Sequence, residues 1–210
     1  LPWPVQETSD GGFVTVGAIS NLTRTSTGAL PIRRVIGGPV YEDPRHVYLL
    51  KADADGNLLN KTYGEGTGMA VRQTNDGGYV IVVYGGGAIF GSGESTSSII
   101  KTDAAGNMIW SKPFEVCGAG LMQDDKPYSV FQASDGGYIV AGETTFDTKS
   151  SNRIANGFLL KVDANGNKIW GKTYGVGRIN FLKSAYETSD RGYIAFGSTK
   201  PFGKGNITSF

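Results

Sequence analysis

Short apolar runs, separated by clusters of Ser, Thr, Asp, Asn and Gly, follow one another along the whole chain. No stretch sustains the 3.6-residue apolar period of an amphipathic helix, so strands joined by tight turns are expected throughout and helices are expected to be nearly absent. The runs are rich in β-branched and aromatic residues. In places they alternate with polar residues, as in Phe13-Val14-Thr15-Val16, and in places they are continuous, as in Tyr79-Val80-Ile81-Val82-Val83.

One such pattern occurs four times. Val5-Gln6-Glu7-Thr8-Ser9-Asp10-Gly11-Gly12-Phe13-Val14-Thr15-Val16-Gly17 recurs from Val71 to Val83, from Val130 to Gly142 and from Ala185 to Gly197. The aspartates that mark it, Asp10, Asp76, Asp135 and Asp190, stand 66, 59 and 55 residues apart. That spacing points to one supersecondary unit repeated along the chain. A second pattern is interleaved three times: Leu49-Leu50-Lys51-Ala52-Asp53-Ala54-Asp55-Gly56-Asn57 through Gly64 matches Ile99 to Phe114 and Leu159 to Gly175.

Each pattern reads as a hairpin. In the first, Ser-Asp-Gly-Gly between two apolar runs predicts a type I′ turn, because Asp tolerates positive φ and Gly adopts it freely. Arg191 replaces the first glycine in the fourth copy, so that turn is expected to be strained or of another type. In the second, the aspartate can accept hydrogen bonds from amides further along its own turn, and the glycine suits a left-handed position. Two hairpins per repeat make a four-stranded meander, and repeated meanders of this size are the signature of a β-propeller. The expected fold is therefore all-β: one propeller domain over residues 1–210, with blades at about 1–65, 66–125, 126–176 and 177–210. The second hairpin is missing from the fourth blade, which should hold its first two strands, a third in Ile207 to Phe210, and no fourth.

These repeats resemble those of exported bacterial and archaeal propeller proteins, whose units read Gln-Thr-Ser-Asp-Gly-Gly-Tyr-Ile-Val-Ala-Gly and Leu-Leu-Lys-x-Asp-x-x-Gly-Asn-x-x-Trp. The resemblance covers residues 5–17, 49–64, 71–83, 99–114, 130–142, 159–175 and 185–197. It implies a propeller in an extracellular or cell-surface setting and carries no agreed catalytic residues. The second hairpin is also similar to those of quinoprotein-like propellers, but no quinone-binding set accompanies it, and no cofactor is expected.

Composition narrows the function classes. A chain of 210 residues with 39% hydrophobic residues can bury a substantial core, and its 32 glycines suit many tight turns. A net charge of +1, with Lys and Arg scattered, leaves no electrostatic footprint for nucleic acid. The apolar runs are strand-sized, so no helical membrane span is expected. Leu1-Pro2-Trp3-Pro4 has neither part of a secretory signal, so for an exported protein the signal is expected to lie outside this chain. Cys117 is the only cysteine and cannot pair within the chain.

Candidate chemistry is sparse. His46 is the only histidine, which removes multi-histidine metal sites. Asp53, Asp55 and Asn57 have the alternating oxygens of a calcium loop, but the counterparts at Asp103 and Asp163 lose the middle carboxylate and no distal Glu follows, so turn chemistry accounts for them. Asp10, Asp76, Asp135 and Asp190 occupy one turn position, the mark of a repeated structural need. Trp110 and Trp170 share a position in the last strand of their blades and are expected to pack between blades or at the outer edge, with glycan stacking as the alternative. Arg33, Arg34 and Arg45 lie in or beside an insertion of about 15 residues within Ala18 to His46 and could grip an anion. A second insertion, Glu115 to Lys126, carries Asp124 and Asp125. Asn21, Asn60 and Asn206 each open an Asn-x-Thr sequon and are the glycosylation candidates.

An incomplete last blade has three readings: these residues belong to a longer propeller or a chain of many such blades, or four blades close alone with a reduced last sheet, or a neighbouring molecule completes the sheet by strand addition. Leu1, Ile207 and Phe210 are the residues expected at that seam. The functional expectation is a non-enzymatic extracellular or cell-surface scaffold, partnered by itself or by other surface proteins, with assembly into a fibre by strand complementation. A glycan-binding propeller lectin, or a propeller glycoside hydrolase or lyase, is the alternative.

Overall fold

The computed structural model describes residues 5–20, 45–85, 97–117, 123–146, 154–175, 179–200 and 208–209. Blade one consists of β1 (Val5–Glu7), β2 (Phe13–Ser20), β3 (Arg45–Ala52) and β4 (Leu58–Glu65). β5 (Thr67–Gln73), β6 (Tyr79–Tyr84), β7 (Ser98–Thr102) and β8 (Met108–Pro113) form blade two. Blade three holds β9 (Gln123–Gln132), β10 (Tyr138–Phe146), β11 (Ile154–Val162) and β12 (Lys168–Tyr174). Blade four follows with β13 (Ile179–Glu187), β14 (Tyr193–Lys200) and the two-residue β15 (Thr208–Ser209). Strands within each blade pair antiparallel in sequence order, and a single parallel bridge, Ala155 to Ile179, ties blade four to blade three. The fold is a β-propeller of four blades, the last incomplete among the described residues. No helix of the described residues is long and apolar enough to cross a membrane.

The first strands of successive blades pack side by side, β1 on β5, β5 on β9 and β9 on β13, which puts them on the axial side of the arc. Three apolar cores lie between successive blades. Val14, Val16, Val47 and Leu49 of blade one meet Val71, Tyr79, Ile81 and Val83 of blade two. Val80, Val82 and Ile99 of blade two meet Val130, Tyr138, Val140 and Phe158 of blade three. Ile139, Ala141 and Leu159 of blade three meet Leu182 and Ala185 of blade four. The two faces of a strand therefore serve two different interfaces: Val80 and Val82 look forward along the arc, Tyr79 and Ile81 look back. β6 is consequently buried on both faces, whereas β2, in a terminal blade, alternates buried with exposed or half-buried residues.

The first hairpin differs from its sequence expectation. Gly11 N–H donates to Thr8 O at 2.9 Å, and Gly11 alone in this loop has positive φ, at 75°. A type I′ turn would need positive φ at both central residues. The loop is a four-residue turn from Thr8 to Gly11 whose last residue is the left-handed glycine, the three-residue hairpin with a bulge. Asp10, with negative φ, works through its side chain instead: Oδ1 accepts from the Thr8 hydroxyl at 2.5 Å. Asp76 and Asp190 accept from Thr74 and Thr188 in the same way.

Blade four keeps this turn although Arg191 stands at the glycine position. Arg191 N–H donates to Thr188 O at 2.9 Å, and Arg191 carries φ 64°, the only non-glycine residue described with positive φ. The sequence expectation of strain holds, and the turn type does not change. Arg191→Gly is expected to stabilise the chain by about 1 kcal/mol, since the left-handed region costs an L-residue roughly 1–2 kcal/mol and glycine's greater unfolded freedom returns part of that. Urea unfolding of the variant checks this.

Candidate functional site

An antiparallel meander sends its strands alternately up and down, so the two hairpin turns of blades one to three, with the first hairpin turn of blade four, lie at one end of the arc. The end of each second strand and the start of each third lie at the other.

The turn end is repetitive and structural. Lys101 and Lys161, both buried, reach Asp76 at 2.9 Å and Asp135 at 2.6 Å, and Lys51 pairs with Asp10. In the second hairpins Asp53 Oδ1 accepts from the amides of Asp55 and Asn57, at 3.0 and 2.8 Å, and Oδ2 accepts from Asn57 Nδ2 at 2.9 Å. N–H groups thus point at both carboxylate oxygens, and Asp103 and Asp163 repeat the bonds to their asparagines. Asp55 and Asn57 are exposed on the same turn. Among the described residues no group of three or more acidic, His or Cys side chains could hold a metal ion.

These turn carboxylates set the acid response. Burial would raise Asp76, but the Thr74 hydroxyl, Lys101 and the Gly78 amide overcome it and hold the group at about 2. Asp135 is held low mainly by Lys161, Asp10 by Lys51, and Asp53 and Asp103 by their asparagines. A carboxyl depressed on folding contributes stability above its unfolded value near 3.8, and that contribution is lost as pH falls through the folded value. The thermal midpoint is therefore expected to hold down to about pH 4 and to fall between about pH 4 and 2, which a melting series across that range measures.

The opposite end breaks the repeat. Each first strand of blades two to four carries one extra residue opposite its partner strand: Met69 in β5, Tyr128 in β9 and Lys183 in β13. A bulge bends the strand and re-aims its side chain. Here it brings Lys183 Nζ over the Tyr128 ring, 3.6 Å from its centroid. Tyr128 donates its hydroxyl to Glu143 Oε1 at 2.7 Å, and Tyr84 donates to Asp124 Oδ2 at 3.0 Å. Asp125, buried, accepts from the Val116 amide at 2.9 Å. Burial pushes the Asp125 carboxyl up, against the pull of Thr144 and that amide, whereas burial pulls Lys183 down.

Carboxylates, lysines and tyrosines thus converge at one end of the axis from three blades. Sequence reading noted Asp124 and Asp125 only as part of an insertion. The available signal was a departure from the repeat, since Asp124-Asp125-Lys126-Pro127-Tyr128 stands where blade two has Glu65-Gly66-Thr67-Gly68-Met69.

Of the other candidates, Arg45 opens β3 and is exposed, and Asn60 is exposed on β4. Arg33, Arg34, Leu1, Ile207, Phe210, Asn21 and Asn206 lie outside the described residues. Trp110 packs edge-on to Tyr138 at 6.0 Å and Trp170 against Tyr193 at 5.8 Å, each ring reaching the next blade. Cys117 is half-buried against the core between blades two and three.

The terminal blades expose their outward faces. Val5 and Phe13 of blade one are 62% and 53% exposed, and Ile194 and Phe196 of blade four are 59% and 48% exposed.

No protein-family model matches the chain, and no curated protein matches it. Among solved structures the chain is similar to MPT-4, a mannose phosphorylase from Leishmania mexicana solved in complex with phosphate ion. The TM-score is 0.52 at 11% sequence identity, with 92% of this chain and 62% of that chain covered. That likeness places this chain in the class of β-propeller folds and shows the fold alone. The chain spans 62% of the length of that relative.

Proposed function

We propose that this chain is a non-enzymatic extracellular or cell-surface scaffold, a rigid run of propeller blades that makes its contacts through the open end of the arc. The observation that supports this reading is the state of blade four, where β15 contributes only two residues at the edge of β14, paired through Ser198 and Thr199. Among the described residues β14 meets β15 at Ser198 and Thr199 alone, and a strand added along such an edge would bind through main-chain hydrogen bonds. Fibre growth by strand complementation, with other surface proteins or itself as partner, follows from that edge. Electron microscopy of the purified chain tests the reading: filaments or defined oligomers support it, and isolated monomers that retain catalytic turnover overturn it.

A second reading, a propeller acting on or binding glycosides, is favoured by the asymmetric carboxylates Asp124, Asp125 and Glu143 at one end of the axis. Burial raises the Asp125 carboxyl above its ordinary value, the direction a general acid needs. One solved structure of similar fold is a mannose phosphorylase. Phosphate-dependent cleavage of mannosides, lost in Asp125→Asn, would put this reading in place of the scaffold.

A further inference from the structure

We infer that Lys126 and Lys183 form a clamp for a phosphate dianion, free or carried as a monoester, at the axial side of blades three and four. Such a clamp serves a scaffold and an enzyme alike, and its occupancy is read without assembly or turnover.

The lysines of this chain divide by what takes up their charge. Lys51, Lys101 and Lys161, at one repeated position, pair with the turn aspartates Asp10, Asp76 and Asp135. Lys61 and Lys112 donate to Asn107 and Asn167, and Lys168 donates to the carbonyls of Glu115 and Val116. Lys126 and Lys183 meet aromatic rings instead. Lys126 Nζ lies 5.2 Å from the Tyr84 centroid and 5.8 Å from that of Tyr128, and Lys183 Nζ lies 3.6 Å from the Tyr128 centroid and 4.9 Å from that of Phe181. Among the described residues neither ammonium reaches a carboxylate at ion-pair distance. A ring face attracts a cation without giving its N–H groups the oxygen acceptors they bind best, so donors remain for a ligand.

Both lysines break the repeat. Lys183 is the bulge residue of β13, where β5 has Met69 and β9 has Tyr128, and Lys126 stands where β5 has Thr67 and β13 has Phe181. A structural need recurs at one register, as it does at Lys51, Lys101 and Lys161. These two come from different registers of neighbouring first strands and gather at one ring, with Lys183 exposed and Lys126 half-buried. Two like charges so placed repel: Lys183 is lowered by burial and further by Lys126, against the attraction of Glu143. An anion held between them removes that repulsion. The carboxylates close by already hold donors of their own. Asp124 accepts from the Tyr84 hydroxyl at 3.0 Å, Glu143 from the Tyr128 hydroxyl at 2.7 Å and Asp125 from the Val116 amide at 2.9 Å. Two ammonium groups match a dianion in charge, and lysine binds phosphate as a point charge, without the planar fork that arginine offers a carboxylate.

Isothermal titration calorimetry of the whole chain at fixed ionic strength, with inorganic phosphate and with glucose 6-phosphate as probes, tests the clamp. Saturable binding of at least one probe is expected. Lys126→Met and Lys183→Met are each expected to weaken it about tenfold, as the loss of one charge-assisted hydrogen bond does. Lys172→Met is the control and is expected to leave binding unchanged, since Lys172 lies 6.0 Å from the Trp170 centroid on the outer strand and is alone at that ring among the described residues. Retained circular dichroism and melting confirm that the variants fold. Inorganic phosphate bound and glucose 6-phosphate refused upholds the clamp with free phosphate as its ligand. Glucose 6-phosphate bound, with or without inorganic phosphate, upholds it with a monoester as its ligand. The absence of saturable binding for both probes overturns the inference. So does binding that Lys172→Met weakens as much as the other two variants, which marks diffuse attraction, and so does binding that neither Lys126→Met nor Lys183→Met changes.

Discussion

Replacing Gly142 by alanine is expected to destabilise the chain by about 3 kcal/mol, at the upper end of what overpacking a core costs. In a chain of this size that corresponds to a thermal midpoint lower by roughly 6–12 °C. Gly142 lies in β10 beside the point where β9 bulges. A Cβ there would stand 2.2 Å from the Lys126 carbonyl oxygen and 2.6 Å from the Phe158 ring. The first neighbour is backbone and cannot swing aside, so relief requires β9 to move and the bulge that aims Tyr128 to open. The cause is steric, which separates this glycine from those that supply positive φ. Gly56, at φ 84° with nothing within 4 Å of its Cβ position, should cost only about 1 kcal/mol when changed to alanine. Urea titrations of the two variants give the comparison, and equal losses would remove the steric account.

The same residues show which parts of the structure could be read from the sequence. Blade number followed from the four copies of the first hairpin at Asp10, Asp76, Asp135 and Asp190, strand order from the second hairpin interleaved with it, and the incomplete fourth blade from that hairpin's missing fourth copy. The turn type did not follow. Asp-Gly is compatible with a type I′ turn and with a turn plus left-handed glycine, and only the closing bond from Gly11 to Thr8 decides between them. The bulges at Met69, Tyr128 and Lys183 were also hidden, since an extra residue in a strand leaves no mark until its partner strand is known. Hence the cluster around Asp125 escaped notice, although every member was visible as a residue type. The exposed end faces have a different reason. Phe13 and Ile194 carry the same kind of apolar side chain as their buried counterparts, and exposure depends on whether a neighbouring blade is present.

Phe158→Ala should have the other large effect, a loss of about 3–5 kcal/mol. Phe158 is fully buried between blades two and three, its ring 6.2 Å from that of Phe114. Truncation leaves a cavity walled by two sheets whose backbones are held by their own ladders, so the site cannot collapse far. The consequence reaches beyond a lower midpoint. In a linear array of repeats, stability is a sum of blade terms and neighbour-interface terms, and cooperativity depends on the interfaces. This substitution weakens the middle interface and leaves the cores between blades one and two and between three and four intact. Unfolding should therefore split from one transition into two, each half of the arc melting by itself. Amide hydrogen exchange is expected to show β6 and β10 losing protection unequally. Tyr186→Ala, at an exposed ring on blade four, should change stability by no more than about 0.5 kcal/mol and leave the transition single. If Phe158→Ala lowers the midpoint while the transition stays single, the blades are coupled through more than their apolar interfaces. The bonds that the Ser9, Asn75 and Ser134 amides donate to Gln73, Gln132 and Glu187 of the next blade would then be the contacts to remove next.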